Sequence, residues 1–346
     1  MSVTHISFLF SHMLGVRNKL SDMELSAREV FPELSFILND FSKKSRLVRF
    51  MLGFNKGFFI PLNVEVVIVR HNFFDFSLLI VFMLRKFLNK RNFLEHHSDH
   101  VIELQRRGFY GRLLAIHEVM MCKLAGSLID GHISVSESVK ISQDKYFRHP
   151  LPLIMENGYR LRQSVKSPAV TCDTKYSLVF CAAKFADWHG LDILIDFANR
   201  DVIFRENFTV YLVGDIGTYS VPVNFVACGF LPSHEIDELI RGCDMCVDSL
   251  GLARLGLTLS SSLKGKQYIA NGKPILACCS VNKKYDEFTF FIDRKDEIGS
   301  DLIAFLSEVD HLLIGKVSSD LYDSVISWES VLMRLKLNLI SGGFLT

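Results

Sequence analysis

Short apolar runs alternate with amphipathic segments along nearly the whole chain of 346 residues. The run at residues 64–69 (VEVVIV) is typical of a strand, because β-branched side chains suit a pleated backbone. Segments whose apolar residues recur every three or four positions instead predict helices. Because the two patterns alternate, the sequence predicts an α/β protein in which helices cover parallel sheets.

In the first half of the chain, strands are predicted at residues 4–10, 34–38, 64–69, 92–95 and 131–135. Helices are predicted there at residues 21–30, 76–88 and 111–125, and a polar loop at residues 12–19 precedes the first of them. In the second half, strands are predicted at residues 177–182, 209–213, 223–227, 245–248 and 274–277. Helices are predicted there at residues 190–199, 233–241, 263–271, 301–309 and 327–340, with Ser233 as an N-cap.

The alternation is interrupted between residues 150 and 168, where three prolines and Gly158 break the periodicity. Such a break predicts a linker between domains. We therefore expect two Rossmann-like doubly wound domains that face a central cleft, over residues 1–163 and 164–326. The helix at 327–346 completes the first domain. Ligands of such sheets bind beyond the carboxyl ends of the strands, so the cleft is the expected site.

Composition narrows the possible classes of protein. Apolar residues make up 49% of the chain, which is enough for two cores and excludes a disordered protein. The 39 basic and 38 acidic side chains nearly balance, which argues against a general nucleic-acid-binding protein. The eight cysteines are expected to be buried thiols, because the zinc-like spacing of Cys243 and Cys246 has no second pair. No signal peptide or membrane span is recognisable, so we expect a cytoplasmic protein.

The stretch at residues 260–277 (SSSLKGKQYIANGKPILA) carries the clearest chemistry. A loop with Ser262 and Lys264 leads into an amphipathic helix, and a Gly-Lys-Pro break precedes a buried strand. This order places a hydroxyl, an ammonium and helix-start amides where a strand meets a helix. Such a place suits the phosphates of a bound nucleotide.

The same stretch resembles the donor-binding segment of bacterial glycosyltransferases of family 4, written S-x-L-K-x-x-E-Y-x-A-x-G-K-P. Other segments resemble that family in the same order: residues 94–97 (LEHH), 155–158 (MENG), 185–195 (FADWHGLDILI), 211–215 (YLVGD), 226–248 and 327–329 (SWE). The similarity covers nearly the whole chain, and the order and spacing of the segments carry it. It implies the GT-B fold, and an enzyme of the type that assembles surface polysaccharides.

The resemblance implies three groups of site residues. The catalytic group consists of His97, Lys184 and Lys264. The donor-binding group consists of Ser262, Leu263, Gln267, Gly214, Asp215, His189 and Gly190. The acceptor-side group lies on the loop after the first strand and consists of Gly15, Arg17 and Lys19. The charged and loop residues among them have an ordinary alternative as solvated surface residues.

Two positions depart from the family pattern. Gln267 stands where the family has a glutamate that accepts hydrogen bonds from the ribose, and Leu259 stands where it often has a second glutamate. Glutamine accepts without charge assistance, so its hydrogen bond to the ribose is expected to be weaker. These departures leave open a non-catalytic scaffold or partner subunit. A sugar epimerase of the same fold would need paired carboxylates and a histidine, and the sequence offers no clear set.

The function implied by the resemblance is transfer of a sugar from a UDP- or GDP-linked donor to a saccharide or polyprenyl-linked acceptor. Retention of anomeric configuration is implied, and no metal or other cofactor is expected. A metal site at His96, His97, Asp99 and His100 is a weak alternative, because adjacent residues seldom face one ion. Residues 42–59 and 76–93 mix basic and apolar side chains, which indicates either contact with the inner face of the plasma membrane or ordinary solvated helices.

Overall fold

The computed structural model describes residues 2–9, 14–71, 73, 75–105, 108–147, 151–162, 174–255, 262–292 and 298–345. The chain packs into two units. Unit 1 comprises Met1–Asn157 and Trp328–Thr346, and unit 2 comprises Gly158–Ser327. The division falls at residue 158, whereas the sequence placed it at residue 164.

Unit 1 is built on a sheet of six parallel strands in the order β2-β1-β3-β4-β5-β6. Its strands are Val3–Leu9 (β1), Leu34–Asp40 (β2), Val66–Arg70 (β3), Arg91–His96 (β4), Gly131–Ser134 (β5) and Leu151–Ile154 (β6). The helices between them are Leu14–Val30 (α1), Arg46–Gly53 (α2), Phe76–Phe87 (α3), His100–Gln105 (α4), Gly108–Ala125 (α5) and Glu137–Gln143 (α6). A 3-10 helix lies at Lys56–Phe59.

Strand β6 corrects the predicted linker. The segment Leu151–Ile154 pairs with β5 in parallel, and His132 lies opposite Pro152. Proline lacks a backbone donor and is tolerated on an edge strand, where one side of the backbone has no partner. The prolines that suggested a linker therefore include one in the edge strand of the sheet.

Helix α1 corrects the predicted loop at residues 12–19. Among the described residues, the helix begins at Leu14, so Gly15, Arg17 and Lys19 lie in its first two turns. The inner side of α1 packs through Met23 and Ala27 on the sheet. That packing extends the helix through a segment whose polar residues and glycine favour a loop when considered alone.

Unit 2 is built on a second sheet of six parallel strands, in the order β12-β11-β10-β7-β8-β9. Its strands are Tyr176–Lys184 (β7), Phe208–Asp215 (β8), Phe225–Gly229 (β9), Met245–Val247 (β10), Ile275–Ala277 (β11) and Thr289–Phe291 (β12). Its helices are Leu191–Arg200 (α7), Val202–Asn207 (α8), Ser233–Gly242 (α9), Leu263–Ala270 (α10), Gly299–Glu308 (α11) and His311–Leu321 (α12). Short 3-10 helices lie at Asp187–His189, Leu252–Leu255 and Lys283–Phe288, and a π-helical turn at Tyr322–Ile326. Pro232 is the N-cap of α9, and Ser233 is its first residue, which corrects the predicted cap.

The last helix, Trp328–Ser341 (α13), belongs to unit 1. It packs beside α1, and Trp328, Leu332 and Leu335 are buried against the sheet residues of unit 1. Within the described part of the chain, no helix combines the length and apolar character needed to cross a bilayer.

In each sheet the strand order reverses at one place, and a ligand is expected to bind there. In unit 1 the chain leaves β1 for β2 on one side and for β3 on the other. In unit 2 the strands after β7 continue to β8 and β9 on one side and to β10 on the other. Ligands of open parallel sheets bind at the carboxyl ends of strands where the order reverses. These positions are the ends of β1 and β3 and the ends of β7 and β10.

Candidate functional site

The reversal point of unit 2 is built from the loops after β7 and β10. Gly190 follows the 3-10 turn after β7 with a φ of +74°, a backbone conformation that glycine adopts easily. A Cβ at this position would lie 2.7 Å from the backbone nitrogen of Gly251, in the loop after β10. The His189 carbonyl accepts a hydrogen bond from the Leu250 amide at 2.8 Å, which joins the two loops. The predicted donor residue Gly190 thus allows the loops to approach each other.

Asp248, the first residue after β10, connects this point to the start of α10. The Ser262 hydroxyl donates to Asp248 Oδ1 at 3.0 Å. The same hydroxyl accepts from the Gly265 amide at 3.0 Å and so caps α10. A serine that caps one helix and also bonds a buried carboxylate fixes the helix start against the strand end.

Lys264 completes this group. Its Nζ lies 3.7 Å from Asp248 Oδ1 and 4.7 Å from the centroid of the Phe180 ring. The lysine side chain is 12% exposed, and its Nζ has no hydrogen-bond partner among the described residues. Burial lowers the pKa of Lys264, and the nearby carboxylate of Asp248 offsets part of that fall. An ammonium has three donors, so this cation can bond an anion in addition to Asp248.

His189 lies within electrostatic range of the same charges. Its Nδ1 accepts a hydrogen bond from the Ala186 amide at 2.9 Å, which places the ring proton of the neutral form on Nε2. Burial lowers the pKa of His189 to about 4, and the Lys264 charge lowers it further than Asp248 raises it. The imidazole is therefore neutral at pH 7 and offers one N–H donor.

The other predicted site residues of unit 2, three from the donor-binding group and Lys184 from the catalytic group, have different surroundings. Gly214, at φ +117°, is packed so closely that a Cβ would collide with the Ala182 carbonyl oxygen of β7. The Asp215 carboxylate accepts from the Gly217 amide at 2.8 Å and closes a turn. Lys184 is exposed at the end of β7, opposite Asp215. Leu263, the first residue of α10, is 37% exposed.

Gln267 is held by a neighbouring helix. Its side-chain amide donates to Asp237 Oδ1 of α9 at 2.6 Å. The Tyr159 hydroxyl donates to the same oxygen, and Asp237 is fully buried. Arg162 lies 3.6 Å from the other carboxylate oxygen. The amide of Gln267 thus has a structural partner that an ionised glutamate at this position could not serve. Leu259 lies outside the described residues.

A second cluster lies in unit 1 around the buried carboxylate of Glu95, on β4. His5 Nε2, from β1, donates to Glu95 Oε2 at 2.6 Å. His97 Nε2 lies 2.8 Å from the other oxygen, and Lys19 Nζ lies 3.8 Å from it. Lys19 also donates to His97 Nδ1 at 3.3 Å and lies over the Trp328 ring. Glu95, His5 and Lys19 are each no more than 6% exposed, and the His97 side chain is 16% exposed.

The charges of this cluster are set by burial and by one another. Burial would raise the pKa of Glu95, but His97, His5 and Lys19 outweigh it and lower that pKa well below its usual value. Burial lowers the pKa of Lys19 to about 8, although Glu95 opposes the shift. Burial also lowers the pKa of His97 to about 3 against the pull of Glu95. At pH 7 the cluster contains an ionised Glu95, a neutral His97 and a Lys19 that is mostly charged.

The predicted acceptor-side residues Lys19 and Arg17 have different partners in the structure. Lys19 joins His97, which the sequence had placed in the catalytic group. Arg17 instead forms an ion pair with Asp40 at the end of β2 and donates to Ser42 at 3.2 Å. Arg17 thus has protein partners at Nη2, and its predicted role toward an acceptor phosphate stays a prediction.

Sequence reasoning missed Asp248, Glu95 and His5. Asp248 and Glu95 lie at the carboxyl ends of predicted strands, and that position was the available signal. His5 lies inside a strand, and its partner is 90 residues away in the chain, so no local pattern pointed to it.

The weak metal alternatives are also separated by the fold. Cys243 and Cys246 are buried in unit 2 and belong to no ligand cluster of three among the described residues. Asp99 caps α4 through the Ile102 amide, and His97 faces Glu95. His100 Nε2 bonds the His71 carbonyl at 3.0 Å. Three of the four candidate ligands, His97, Asp99 and His100, therefore face different partners.

Comparisons with known proteins address the fold. No family model and no curated sequence matches the chain. Similar solved structures include the apo form of the lipopolysaccharide outer core galactosyltransferase WaaB, at 12% identity and a TM-score of 0.58, covering 98% of this chain and 100% of that one. Sucrose-phosphate synthase from Thermosynechococcus elongatus has 10% identity and a TM-score of 0.63, with 99% of each chain covered.

A third similar structure is an alpha-glucosyltransferase in complex with UDP and a 13-mer DNA. It has 10% identity and a TM-score of 0.60, covering 99% of this chain and 100% of that one. At such identities the likeness concerns the fold rather than the reaction. With two parallel six-stranded sheets and their flanking helices, the chain has the GT-B fold that its sequence predicted.

Proposed function

We propose that the protein is a glycosyltransferase that moves a hexosyl or related sugar from a UDP- or GDP-linked donor to a saccharide acceptor. The observation that supports this function best is the convergence of Ser262, Lys264 and His189 at the strand-order reversal of unit 2. A capped helix start, a buried ammonium and a neutral N–H donor together suit a diphosphate. Solved proteins of the same fold include one in complex with UDP.

The chemistry follows from where negative charge develops. When the glycosidic bond to the donor breaks, the bonding electrons leave with the nucleoside diphosphate. Lys264 and the first-turn amides of α10 would stabilise that charge, because they are fixed before the reaction begins. Lys184, exposed at the end of β7, is the second cation assigned to the diphosphate. The transfer needs no metal ion in this proposal, and it retains anomeric configuration, as the family resemblance implies.

Asp248 holds the diphosphate-binding groups in place. Its Oδ1 accepts from Ser262 and lies beside Lys264, so one carboxylate orients both the helix cap and the cation. A buried carboxylate beside the donor phosphates is repulsive unless the ammonium remains between them. The role of Asp248 is therefore positioning, and Lys264 would contact both anions.

His97, which the resemblance places in the catalytic group, lies in unit 1. Its neutral imidazole is oriented by Glu95 on Nε2 and by Lys19 on Nδ1. Both ring nitrogens face protein partners, so the side chain, which is 16% exposed, would contact an acceptor sugar through its ring carbons. Glu95 and His5 thus set the position of His97 through contacts on one carboxylate.

The direct test is nucleotide binding by thermal shift with UDP, GDP, UDP-sugars and GDP-sugars. A ligand bound only by the folded protein at 100 times its dissociation constant stabilises it by about 2.7 kcal/mol. Lys264→Met should abolish the shift, and Lys283→Met, which changes an exposed lysine of unit 2, should retain it. A full shift in the Lys264 variant would exclude this lysine from the donor site. For an active pair of substrates, the anomeric configuration of the product tests retention.

A second candidate, a non-catalytic scaffold, is favoured by one observation. Gln267, which replaces the ribose-binding glutamate of the resembled family, already donates to Asp237. A donor site without that glutamate would bind nucleotides weakly. The absence of any thermal shift at millimolar UDP and GDP would support the scaffold and contradict the enzyme.

We also propose that the acceptor is a lipid-linked saccharide in polysaccharide assembly at the inner face of the plasma membrane. The support is the outer face of helices α2, α3 and α5 in unit 1. The inner sides of α3 and α5 pack on the same face of the sheet, through Val81, Phe82 and Met121 among others. Their outer sides expose large apolar residues: Phe76, Ile80, Met83, Phe87, Phe109, Tyr110, Leu113, Ile116, Met120 and Leu124, joined by Leu47 and Met51 of α2.

Charge indicates an anionic lipid surface as the partner of this face. Helices α2 and α3 contain no acidic residue, and the one acidic residue of α5, Glu118, is buried. The exposed basic residues Lys86, Arg112 and Lys123 lie on the same helices. Apolar side chains with interspersed cations bind the interface of anionic bilayers.

Vesicle sedimentation tests this surface. The protein should sediment with vesicles that contain phosphatidylglycerol and much less with phosphatidylcholine alone. Phe87→Glu, at a side chain that is 86% exposed, should reduce sedimentation several-fold. Leu312→Glu, at a residue of unit 2 that is 88% exposed, should leave it unchanged. Equal binding by both variants would contradict the assignment.

A further inference from the structure

Unit 1 contains a buried cluster of metal-ligating side chains that the proposed transfer reaction does not use. It consists of His71, directly after β3, and of Glu118 and Cys122 on α5. One ligand atom from each residue lies within 4.8 Å of the others. In the part of the chain that the structure describes, this is the single group of three such ligands.

The backbone holds these side chains together. Glu118 and Cys122 are four residues apart on α5, so they share one face of the helix. His71 is fixed by its own amide, which donates to the Glu95 carbonyl of β4 at 2.8 Å. His71 Nε2 bonds Glu118, and the Cys122 thiol lies 3.9 Å from the same carboxylate oxygen. All three residues are no more than 2% exposed.

We propose that His71, Glu118 and Cys122 bind a divalent transition-metal ion, for which Zn²⁺ is the best match, with His96 as the fourth ligand. A thiolate, an imidazole and a carboxylate form a ligand set that Zn²⁺ accepts and that Mg²⁺ and Ca²⁺ do not favour. The ion would fasten α5 to the end of β3 in unit 1.

His96 provides the second observation. It is fully buried, and neither of its ring nitrogens has a hydrogen-bond partner among the described residues. The centroid of its ring lies 5.0 Å from that of His71. A buried polar side chain without a partner is costly in a folded protein. Coordination of a metal ion by one of these nitrogens would remove that cost.

The surrounding charges also fit a dication. Lys56 lies 3.6 Å from Asp75, and both are buried near Glu118. With neutral histidines, the two carboxylates and the ammonium carry a net charge of −1, which is −1 −1 +1. A Zn²⁺ ion bound to a Cys122 thiolate adds a net charge of +1, which brings the net charge of the buried group to zero. Coordination of Cys122 as a thiolate releases its proton, so zinc binding should weaken at acidic pH.

The experiment uses the chain of 346 residues, stripped with a chelator and then supplied with Zn²⁺ or Co²⁺. We expect one zinc ion per chain by elemental analysis and, with Co²⁺, a thiolate-to-cobalt charge-transfer band. Cys122→Ser should remove that band, whereas Cys246→Ser, which changes an equally buried cysteine of unit 2, should retain it. His96→Ala should weaken zinc binding but keep the band, because the thiolate remains.

The opposite results decide against the site. If the stripped protein takes up no zinc and its melting temperature does not respond to the ion, His71 and Glu118 form an ordinary buried pair. If Cys122→Ser keeps the cobalt band, another cysteine binds the metal. Should that variant fail to fold, Glu118→Gln serves instead, since it preserves shape and should lower zinc affinity at least tenfold.

Discussion

We predict that removal of the buried charge of Glu95 destabilises unit 1. Glu95→Gln keeps the shape of the side chain but removes the charge that faces His5, His97 and Lys19. A hydrogen bond to a charged group contributes about 1.5–3 kcal/mol, and the bond to His5 at 2.6 Å is of this kind. A further cost comes from Lys19, whose ammonium would lose its carboxylate partner.

The cost at Lys19 is bounded by its titration. Its pKa is already lowered from 10.5 to about 8 in the folded protein. Without Glu95 the pKa falls further, and once it is below 7 the lysine simply releases its proton at pH 7. A fall from about 8 to about 7 is worth about 1.4 kcal/mol. We therefore expect Glu95→Gln to lower the free energy of unfolding at pH 7 by about 3–4 kcal/mol in total.

The pH dependence separates the two contributions. A lysine whose folded pKa lies below its unfolded pKa makes the free energy of unfolding rise with pH between those two values. In the wild type this rise begins near pH 8, and in the variant it begins at a lower pH. The difference between the two proteins should shrink by about 1.4 kcal/mol from pH 7 to pH 9. The contribution of His5 should remain.

Urea unfolding followed by tryptophan fluorescence provides the assay. The chain has two tryptophans, and in a Trp188→Phe background the buried Trp328 reports on unit 1 alone. Lys19→Met is introduced into the Trp188→Phe protein with and without Glu95→Gln, which completes a double-mutant cycle. The cycle should show a coupling of about 1 kcal/mol or more between Glu95 and Lys19. Equal destabilisation at pH 7 and pH 9, with additive single effects, would refute the reasoning.

Three further predictions concern stability. Gly214→Ala should destabilise unit 2 by more than about 3 kcal/mol in urea unfolding, because the new Cβ collides with β7. Gly217→Ala should cost about 1 kcal/mol, because that position has open space and only its φ of +59° is unfavourable. Gln267→Glu places a second carboxylate beside Asp237, so its melting temperature should fall at pH 7 and recover toward pH 5, and no change with pH would contradict the contact. The fully buried guanidinium of Arg85 donates to several oxygens, and Arg85→Met leaves those oxygens without donors. This variant should lower the free energy of unfolding by about 3 kcal/mol, and Arg85→Lys should not restore it.

Much of the fold was predictable because strands and helices leave strong local signals. The apolar runs that become β1, β3, β7 and β8 were identified to within a few residues. Strand β6 was missed, since Pro152 argues against a strand unless the edge position is known. The start of α1 was missed because packing on the sheet, rather than the residues of its first turns, sustains the helix.

The candidate site was predictable only in part. The stretch around Lys264 was identified because a capped helix start beside a strand end has a recognisable order of residues. Its partners Asp248 and His189 come from other loops, and the sequence gives no distance between them. Gln267 was noticed as a departure from the family, but its hydrogen bond to Asp237 depends on how α9 and α10 pack.

The sequence alone determined the alternation of strands and helices, hence two parallel α/β sheets, because periodicity is a property of neighbouring residues. The tertiary structure decided which charges meet. Glu95 faces His5 and Lys19, and His71 lies beside residues of α5, because the strand order brings distant segments to the same sheet edge or helix face. Burial at those places then set the protonation states, since desolvation depends on the surrounding atoms and not on the residue itself.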